Sequence, residues 1–242
     1  MDIIPEITRQ SITNLVKNDK REDARALDEY RDIIIETNVI SKAEGSARVK
    51  LGKTQVMVGI KPQLGSPFPD TPELGVLMTN CEMLPMADPT FEPGPPSEDS
   101  IELARVVDRG IRESELVDLD KLCVEEGKYV WMLFIDLHII DNCGNLFDAS
   151  ELAVMAALKS MKLPVAEIVD EEIVLSDDEF FDLPINKKVA MCTFVKIGDK
   201  LVLDPTLTEE RVADARLNIG VTSEGNICAM QDRKSTRLNS SH

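Results

Sequence analysis

The stretch YVWMLFIDLHIIDNCGNLFDASELAVMAALK, residues 129–159, decides the fold class. Residues 129–140 form a long apolar run, which predicts a strand. The segment Asp141-Asn142-Cys143-Gly144-Asn145 then predicts a turn into a helix over residues 147–159, which Leu163-Pro164 follows. A strand that leads through a short turn into a helix indicates a mixed α/β fold.

The elements on either side repeat this mixture of strands and helices. A proline-rich loop over residues 88–97 precedes a helix over residues 97–114, and Ser97 can cap that helix. The other predicted elements are a helix over residues 1–18, strands over residues 31–40, 47–51, 55–61 and 75–84, a hairpin over residues 188–204, and strands over residues 216–221 and 226–231. This order predicts an α/β (α+β) sandwich of mixed sheets and helices.

Composition and charge restrict the class of protein. The chain has 242 residues, of which 43% are hydrophobic, as in an ordinary globular protein. Its net charge of −17 repels phosphate backbones, so contact with nucleic acid requires a local basic cluster or a basic partner. No apolar run is long enough to cross a bilayer, and residues 1–6 do not begin a signal peptide. We therefore expect a cytoplasmic protein without membrane contact.

The cysteines and histidines give no sign of a metal site. The five cysteines are scattered and form no CxxC pair, which predicts reduced, mostly buried thiols and no zinc site. His138 lies within an apolar strand, where a half-buried structural histidine is a simpler interpretation than a ligand. We expect neither a metal ion nor another cofactor.

The turn before the helix over residues 147–159 is a candidate phosphate site. Free amides at a helix N-terminus bind anions, and Gly144 would let a ligand approach the backbone. However, residues 142–147 contain no Lys, Arg, Ser or Thr, and Leu146 is apolar where a phosphate site needs a donor. From these residues alone, an ordinary strand-to-helix connection is the simpler interpretation.

Two acidic segments are further candidates. The segment LDPTLTEER, residues 203–211, follows a strand and could bind a metal ion or supply a general base. Residues 167–182 contain eight acidic side chains. For both segments, a charged surface or loop in water is the simpler interpretation.

The helix over residues 97–114 presents three arginines on one face, at positions i, i+4 and i+7: Arg105, Arg109 and Arg112. Three apolar residues lie on the opposite face and should be buried: Leu103, Val107 and Ile111. Salt bridges within the helix, between Glu102 and Arg105 and between Asp108 and Arg112, are the simpler interpretation of these charges. The alternative is a cluster that contacts phosphate groups.

Several segments, taken in order, resemble the RNase PH family: residues 20–25, 47–59, 98–112 and 136–158. Within that family, the chain up to residue 231 is most similar to the non-catalytic RNase PH-like subunit of archaeal exosomes. ELARVVDR at residues 102–109 and GNLFDA at residues 144–149 look specific to that subunit. The resemblance implies the RNase PH fold, with two related halves of mixed sheet and helices similar to the second domain of ribosomal protein S5.

The resemblance implies a catalytically silent subunit. Active relatives bind phosphate with a Gly-Ser/Thr-Arg turn, and Gly144, Asn145 and Leu146 stand at the matching positions. Active relatives also have two aspartates after a later strand, and Glu210 and Arg216 match those positions. The phosphate-binding arginine and one carboxylate needed for metal binding or proton transfer are therefore absent. We do not expect phosphorolysis by this chain alone.

The resemblance also implies partners. The chain would alternate with a catalytic RNase PH-like subunit in a six-membered ring, topped by RNA-binding cap proteins. The partner would degrade RNA from its 3′ end with phosphate, while Arg105, Arg109 and Arg112 contact the RNA backbone. Two alternatives stay open, an autonomous phosphorolytic 3′-to-5′ exoribonuclease and an RNA-independent scaffold.

Two places depart from the family pattern. Ala24 replaces the glycine of an Arg-x-Asp-Gly-Arg segment, so we expect its φ to be negative. Residues 232–242, DRKSTRLNSSH, lack apolar periodicity and resemble translated sequencing adapter. We expect a native domain over residues 1–231 and an exposed, non-native tail over residues 232–242, in place of the family's C-terminal helix.

Overall fold

The computed structural model describes residues 5–169 and 172–234. Its helices are α1 Glu6–Lys17, α2 Glu98–Glu113, α3 Leu146–Ser160 and α4 Leu207–Val212. Its strands are β1 Ile33–Thr37, β2 Gly45–Leu51, β3 Thr54–Gly65, β4 Val76–Met83, β5 Cys123–Glu125, β6 Tyr129–Asp141, β7 Lys162–Val169, β8 Glu172–Asp182, β9 Val189–Ile197, β10 Lys200–Leu203, β11 Ala215–Thr222 and β12 Ile227–Lys234. The order of these elements confirms the predicted mixed α/β architecture.

β6 organises the first sheet, whose strand order is β1-β2-β3-β6-β4, with β5 also paired to β6. β6 is antiparallel to β3 and parallel to β4, so both of its edges are hydrogen-bonded. Alternate residues of β6 are completely buried: Leu133, Ile135, Leu137 and Ile139. Because successive side chains of a strand point to opposite faces, this alternation places one face of the sheet against the core.

The second sheet has the strand order β10-β9-β11-β12, and all of its strands are antiparallel to their neighbours. β7 and β8 form a separate two-stranded hairpin. In sequence, this hairpin comes after the strands of the first sheet and before those of the second. The described residues thus form two sheet-containing halves, as the resemblance implies.

α3 is the central helix of the core. It contacts β2 and β3 of the first sheet and β9 of the second. A helix surrounded in this way must be apolar around most of its circumference, and its alanines 149, 153 and 157 are fully buried. At Gly45 a Cβ atom would lie 2.7 Å from the carbonyl oxygen of Ala157, so only glycine lets β2 approach the helix this closely.

α2 begins where the sequence predicts. The Ser97 hydroxyl accepts a hydrogen bond from the backbone N–H of Ser100, as in an ordinary N-terminal cap. The predicted apolar face is buried, since Leu103, Val107 and Ile111 are at most 1% exposed. None of the described helices is long and apolar enough to cross a membrane.

The turn at Ala24 contradicts the expected backbone conformation. Its φ is +64°, which is the left-handed region and not a negative value. Arg21 and Arg25 flank the turn and form ion pairs with Glu209 and Asp204. These ion pairs hold the alanine in a conformation that costs an L-residue about 1–2 kcal/mol.

The last strand was predicted to end at residue 231. In the structure, β12 continues three residues further, to Lys234. Residues 235–242 lie outside the described residues, so the boundary of the non-native tail stays a prediction.

The cysteines and His138 agree only in part with the sequence interpretation. All five cysteines are free thiols, but only Cys81 is buried and the other four are partly exposed. His138 is half-buried, with its Nδ1 atom 3.4 Å from a carboxylate oxygen of Glu82. Three-residue clusters of possible metal ligands are absent from the described part of the chain.

Candidate functional site

The arginine face of α2, formed by Arg105, Arg109 and Arg112, is exposed to solvent. Arg112 forms the expected pair with Asp108 at 3.2 Å and also donates to the carbonyl oxygen of Leu77. The second expected salt bridge, between Glu102 and Arg105, does not form. Among the described residues, Arg105 and Arg109 have no ion-pair partner, so two guanidinium groups are available to a ligand.

Glu102 leaves Arg105 unpaired because it faces the second sheet. Its Oε1 atom lies 2.6 Å from the guanidinium of Arg216 in β11 and accepts a further bond from Gln231 in β12. Arg105 instead borders a groove of about 380 Å³ between α2 and the edge strand β4. The helix therefore uses its acidic side chain internally and presents its arginines outward.

The turn between β6 and α3 has little free space for an anion. Gly144 has a φ of +92°, and a Cβ atom there would lie 2.3 Å from the backbone nitrogen of Leu207. Asn145 also adopts a positive φ, +57°, and its side chain caps α3 by accepting from the backbone N–H of Asp148. Leu146 follows as the first residue of α3. The turn is thus packed directly against the segment that begins α4.

The side chain of Glu210 in α4 reaches the start of α3 and accepts a hydrogen bond from the backbone there. Its Oε1 atom accepts the backbone N–H of Asn145 at 2.9 Å. Burial raises the pKa of Glu210 to about 7, although the charges of Arg216 and Arg31 favour its ionised form. A side chain of the chain itself therefore takes a place that a bound anion would need.

The positive charge of Arg216 acts on Glu210, and the guanidinium group has two further partners. Its guanidinium carbon lies 4.3 Å above the ring centroid of Phe147, in addition to the ion pair with Glu102. Stacking on an aromatic face and pairing with a carboxylate both suit the planar guanidinium group. Arg216 thus joins β11 to α2 and α3. The structure brings Gly144, Asn145, Leu146, Glu210 and Arg216 into one region.

The interpretation of residues 203–211 as a plain charged loop is wrong. Asp204 and Glu209 are buried, with at most 2% of each residue exposed. Asp204 accepts hydrogen bonds from Arg25, Arg31 and the side-chain amide of Asn145. Burial would raise the pKa of Asp204, but hydrogen bonds and the positive charge of Arg31 lower it below its ordinary value.

Arginines distant in the chain explain why this loop is buried. Arg21 forms two side-chain hydrogen bonds with Glu209, at 2.9 and 2.6 Å. Arg31 also donates to the carbonyl oxygens of Cys143 and Gly144, and so connects Asp204 to the α3 turn. A sequence signal was present in Arg21 and Arg25, but Glu209 and Asp204, their buried acidic partners, lie more than 170 positions away.

The comparison with protein families fits this two-part architecture. Residues 29–164 match domain 1 of the 3′ exoribonuclease family, RNase PH, and residues 188–236 match domain 2. The chain belongs to the RNase PH family. Neither family domain includes residues 165–187, which contain most of the β7–β8 hairpin.

Similar members of the RNase PH family come from archaea. The exosome complex component Rrp42 of Methanothermobacter thermautotrophicus is 64% identical over 231 residues, which cover 96% of this chain and 85% of the relative. The component of the same name from Thermococcus kodakarensis is 53% identical over 233 residues, with 96% and 85% covered.

Solved structures give the same similarity. A chain of the Archaeoglobus fulgidus exosome with RNA bound to the active site has a TM-score of 0.88 and 48% identity, with 97% of this chain and 90% of that chain covered. A chain of an archaeal exosome core has a TM-score of 0.83 and 44% identity, with 97% and 88% covered. The RNase PH fold expected from the sequence is therefore confirmed.

Proposed function

We propose that this chain is a non-catalytic ring subunit of an archaeal exosome. It supports phosphorolytic 3′-to-5′ RNA degradation and RNA processing by a catalytic partner. The support is the near full-length similarity to archaeal exosome components and to chains of solved archaeal exosomes. In this proposal the chain alternates with a catalytic RNase PH-like subunit in a cytoplasmic hexameric ring, and RNA-binding cap proteins cover the ring.

The position of Glu210 is the observation that best supports catalytic silence. Its carboxylate accepts the Asn145 amide at the start of α3, where an active relative would bind phosphate. Leu146 offers no donor to phosphate, and Arg216 is a cation where a carboxylate would be required. Phosphate would have to displace the Glu210 carboxylate from the backbone N–H of Asn145.

The arginine face of α2 is the proposed RNA contact. Arg105 and Arg109 are exposed, and neither is engaged by an acidic side chain in the described part of the chain. Guanidinium groups bind phosphate oxygens through charge-assisted hydrogen bonds. Three arginines on one helix face give RNA a local positive surface on a chain whose net charge is −17.

A phosphorolysis assay tests this function. The pure chain should not shorten 3′-labelled RNA in phosphate buffer or release nucleoside diphosphates. After mixing with the catalytic RNase PH-like subunit, a ring should form and phosphate-dependent activity should appear. Phosphate-dependent shortening by the pure chain, after contaminating nuclease is excluded, would show an autonomous enzyme instead. A fully active ring that binds RNA equally well without the arginine face would favour the scaffold alternative.

A further inference from the structure

The carboxylate of Glu102 in α2 is bound by the second sheet. Its Oε1 atom lies 2.6 Å from the guanidinium of Arg216 in β11 and accepts a hydrogen bond from Gln231 at 3.0 Å. Its Oε2 atom lies 2.9 Å from the guanidinium of Arg233 in β12. Arg216 and Arg233 are directly opposite each other in the β11–β12 ladder, so their side chains point to the same face. Both oxygens of Glu102 are therefore engaged outside the helix that carries them.

The same carboxylate has a competing partner on its own helix. Glu102 and Arg105 are three positions apart, a spacing at which side chains of opposite charge pair on a helix surface. The only other acid within four positions of Arg105 is Asp108, which pairs with Arg112 and accepts a hydrogen bond from the Thr79 hydroxyl. Arg105 is therefore left without an ion pair on α2 because both acids near it are bound elsewhere.

Release of Glu102 would change this arrangement. Without Arg216 and Arg233, its carboxylate keeps only the neutral amide of Gln231 among its contacts in the described part of the chain, and an amide attracts a carboxylate less than a guanidinium does. Arg105 is then the nearest cation along α2. RNA would have to break the new surface ion pair before it could bind this guanidinium, and the released carboxylate would repel its phosphates.

We infer that Arg216 and Arg233 are positioning residues for RNA binding, which hold Glu102 away from Arg105 and so keep the Arg105 guanidinium available to phosphate. Neither Arg216 nor Arg233 touches RNA in this arrangement. Arg216, which matches a carboxylate position of active relatives, thus serves the binding of RNA rather than the reaction. The inference rests on the proposed function, because it explains how the arginine face of α2 stays available to RNA.

The test is the RNA affinity of rings assembled with the catalytic RNase PH-like subunit of the Methanothermobacter exosome. Binding of a labelled single-stranded RNA is measured at low salt and without phosphate, so that the RNA is not degraded. The releasing variant is the double change Arg216→Ala and Arg233→Ala. Its affinity should fall roughly two- to fivefold, as expected when RNA must first break an exposed ion pair.

Adding Glu102→Gln to the releasing variant gives the decisive measurement. Glutamine has the same shape but no charge with which to pair Arg105, so affinity should return to that of the ring with Glu102→Gln alone. The matched control adds Glu224→Gln, in the exposed turn between β11 and β12. It makes the same charge change at the opposite end of this hairpin from the Arg216–Arg233 pair, and it should not restore affinity.

A milder variant keeps the test valid if the double change disturbs folding, which circular dichroism and the Tm of the pure chain would show. Arg233→Ala alone removes a side chain that is 55% exposed and should leave the fold intact. It frees one carboxylate oxygen of Glu102, so the loss of RNA affinity should be smaller than in the releasing variant. Glu102→Gln should reverse this loss as well.

The outcomes separate this inference from the proposed function. If Arg105→Ala rings bind RNA like unchanged rings, the proposed RNA contact itself fails. If Arg105→Ala weakens binding but the folded releasing variant and Arg233→Ala bind like unchanged rings, only the positioning role is overturned. A loss that Glu102→Gln does not reverse would also overturn it, in favour of direct contact between RNA and Arg216 or Arg233. Equal rescue by Glu224→Gln would do the same, since it would reflect overall charge.

Discussion

Arg31 and Arg105 have the same charge in opposite settings. Arg31 is mostly buried and donates to both carboxylate oxygens of Asp204 and to backbone carbonyls of the α3 turn. Arg105 is exposed on α2 and pairs with no acid in the described part of the chain. Arg31 donates its hydrogen bonds within the protein, whereas the guanidinium group of Arg105 is available to a ligand. We therefore expect stability to depend on the buried paired charges, and under the proposed function we expect RNA binding to depend on the exposed unpaired ones.

Removing Asp204 should have the largest effect on stability. Asp204→Ala leaves Arg25 and Arg31 without their shared carboxylate, and breaking a buried pair costs about 3–5 kcal/mol. The free energy of unfolding, measured by urea titration at pH 7, should fall by that amount. Asp204→Asn keeps the size of the side chain and should lose somewhat less. Asp28→Ala at an exposed position is the control, and a similar loss there would contradict the assigned role of Asp204.

Glu151 provides a third setting, a buried carboxyl without any hydrogen-bond partner among the described residues. It lies against Gly110 of α2, where a Cβ atom would be 2.8 Å from its Oε1 atom. Burial raises the pKa of Glu151 well above its ordinary value, and the charges of Asp148 and Asp108 raise it further. The folded protein therefore binds this proton more tightly than the unfolded chain, and stability falls as pH rises above the ordinary glutamate pKa.

Glu151→Gln should therefore increase stability at alkaline pH. An uncharged side chain removes the cost of ionising a buried carboxyl, and we expect a gain of about 1–3 kcal/mol at pH 8. Near pH 5 the two proteins should unfold at similar free energies, because the carboxyl is protonated in the folded state. Urea titrations from pH 5 to pH 9 measure this, with the exposed Glu113→Gln as control. Parallel pH profiles for the unchanged chain and Glu151→Gln would refute this interpretation.

Local patterns predicted the parts of the molecule that depend on neighbouring residues. The cap at Ser97, the strand-to-helix order of β6 and α3, and the exposed arginine face of α2 all follow from spacing within one segment. The sequence did not reveal the Asp204 network, because Arg31 and Asp204 are 173 positions apart. Burial of Asp204 and Pro205 depends on that distant partner, and a charged segment alone favours a loop in water.

Ala24 was mispredicted for the same reason. Its negative φ was expected from the preference of alanine, but the flanking Arg21 and Arg25 are fixed by Glu209 and Asp204. Tertiary ion pairs override the local preference and leave φ at +64°. The partner of Glu102 was missed likewise, since Arg216 lies on another strand and 114 positions away.

Ala24→Gly should give a small gain in stability. Glycine removes about 1–2 kcal/mol of left-handed strain but adds roughly 0.5–1 kcal/mol of unfolded-state entropy, so we expect a net gain of about 0.5–1 kcal/mol. Ala26→Gly is a matched control two positions away, because Ala26 is exposed and is not among the residues with positive φ. It should lose about 0.5–1 kcal/mol. Equal losses in both variants would mean that the turn at Ala24 is not strained.

The arginine face should show the smallest effect on stability and the clearest effect on RNA. Among the described residues, changing Arg105, Arg109 and Arg112 together to alanine removes the exposed Asp108 pair and the bond to Leu77, so stability should change within about 1 kcal/mol. Each lost phosphate contact is worth roughly 1.5–3 kcal/mol, so RNA affinity of the assembled ring should fall at least tenfold at low salt.

Rings built with this triple variant would test whether the exposed, unpaired arginines bind RNA, in contrast to the buried Arg31. Their assembly is checked first, and RNA affinity and degradation rate are then measured at several salt concentrations. The loss of affinity should shrink as salt rises, because screening already weakens the contacts of the unchanged ring. Changing the exposed Lys17, Lys20 and Lys188 to alanine removes the same charge elsewhere and should leave RNA affinity nearly unchanged. If the arginine variant assembles, binds and degrades RNA like the unchanged ring, its unpaired arginines do not serve RNA, and the scaffold alternative is correct.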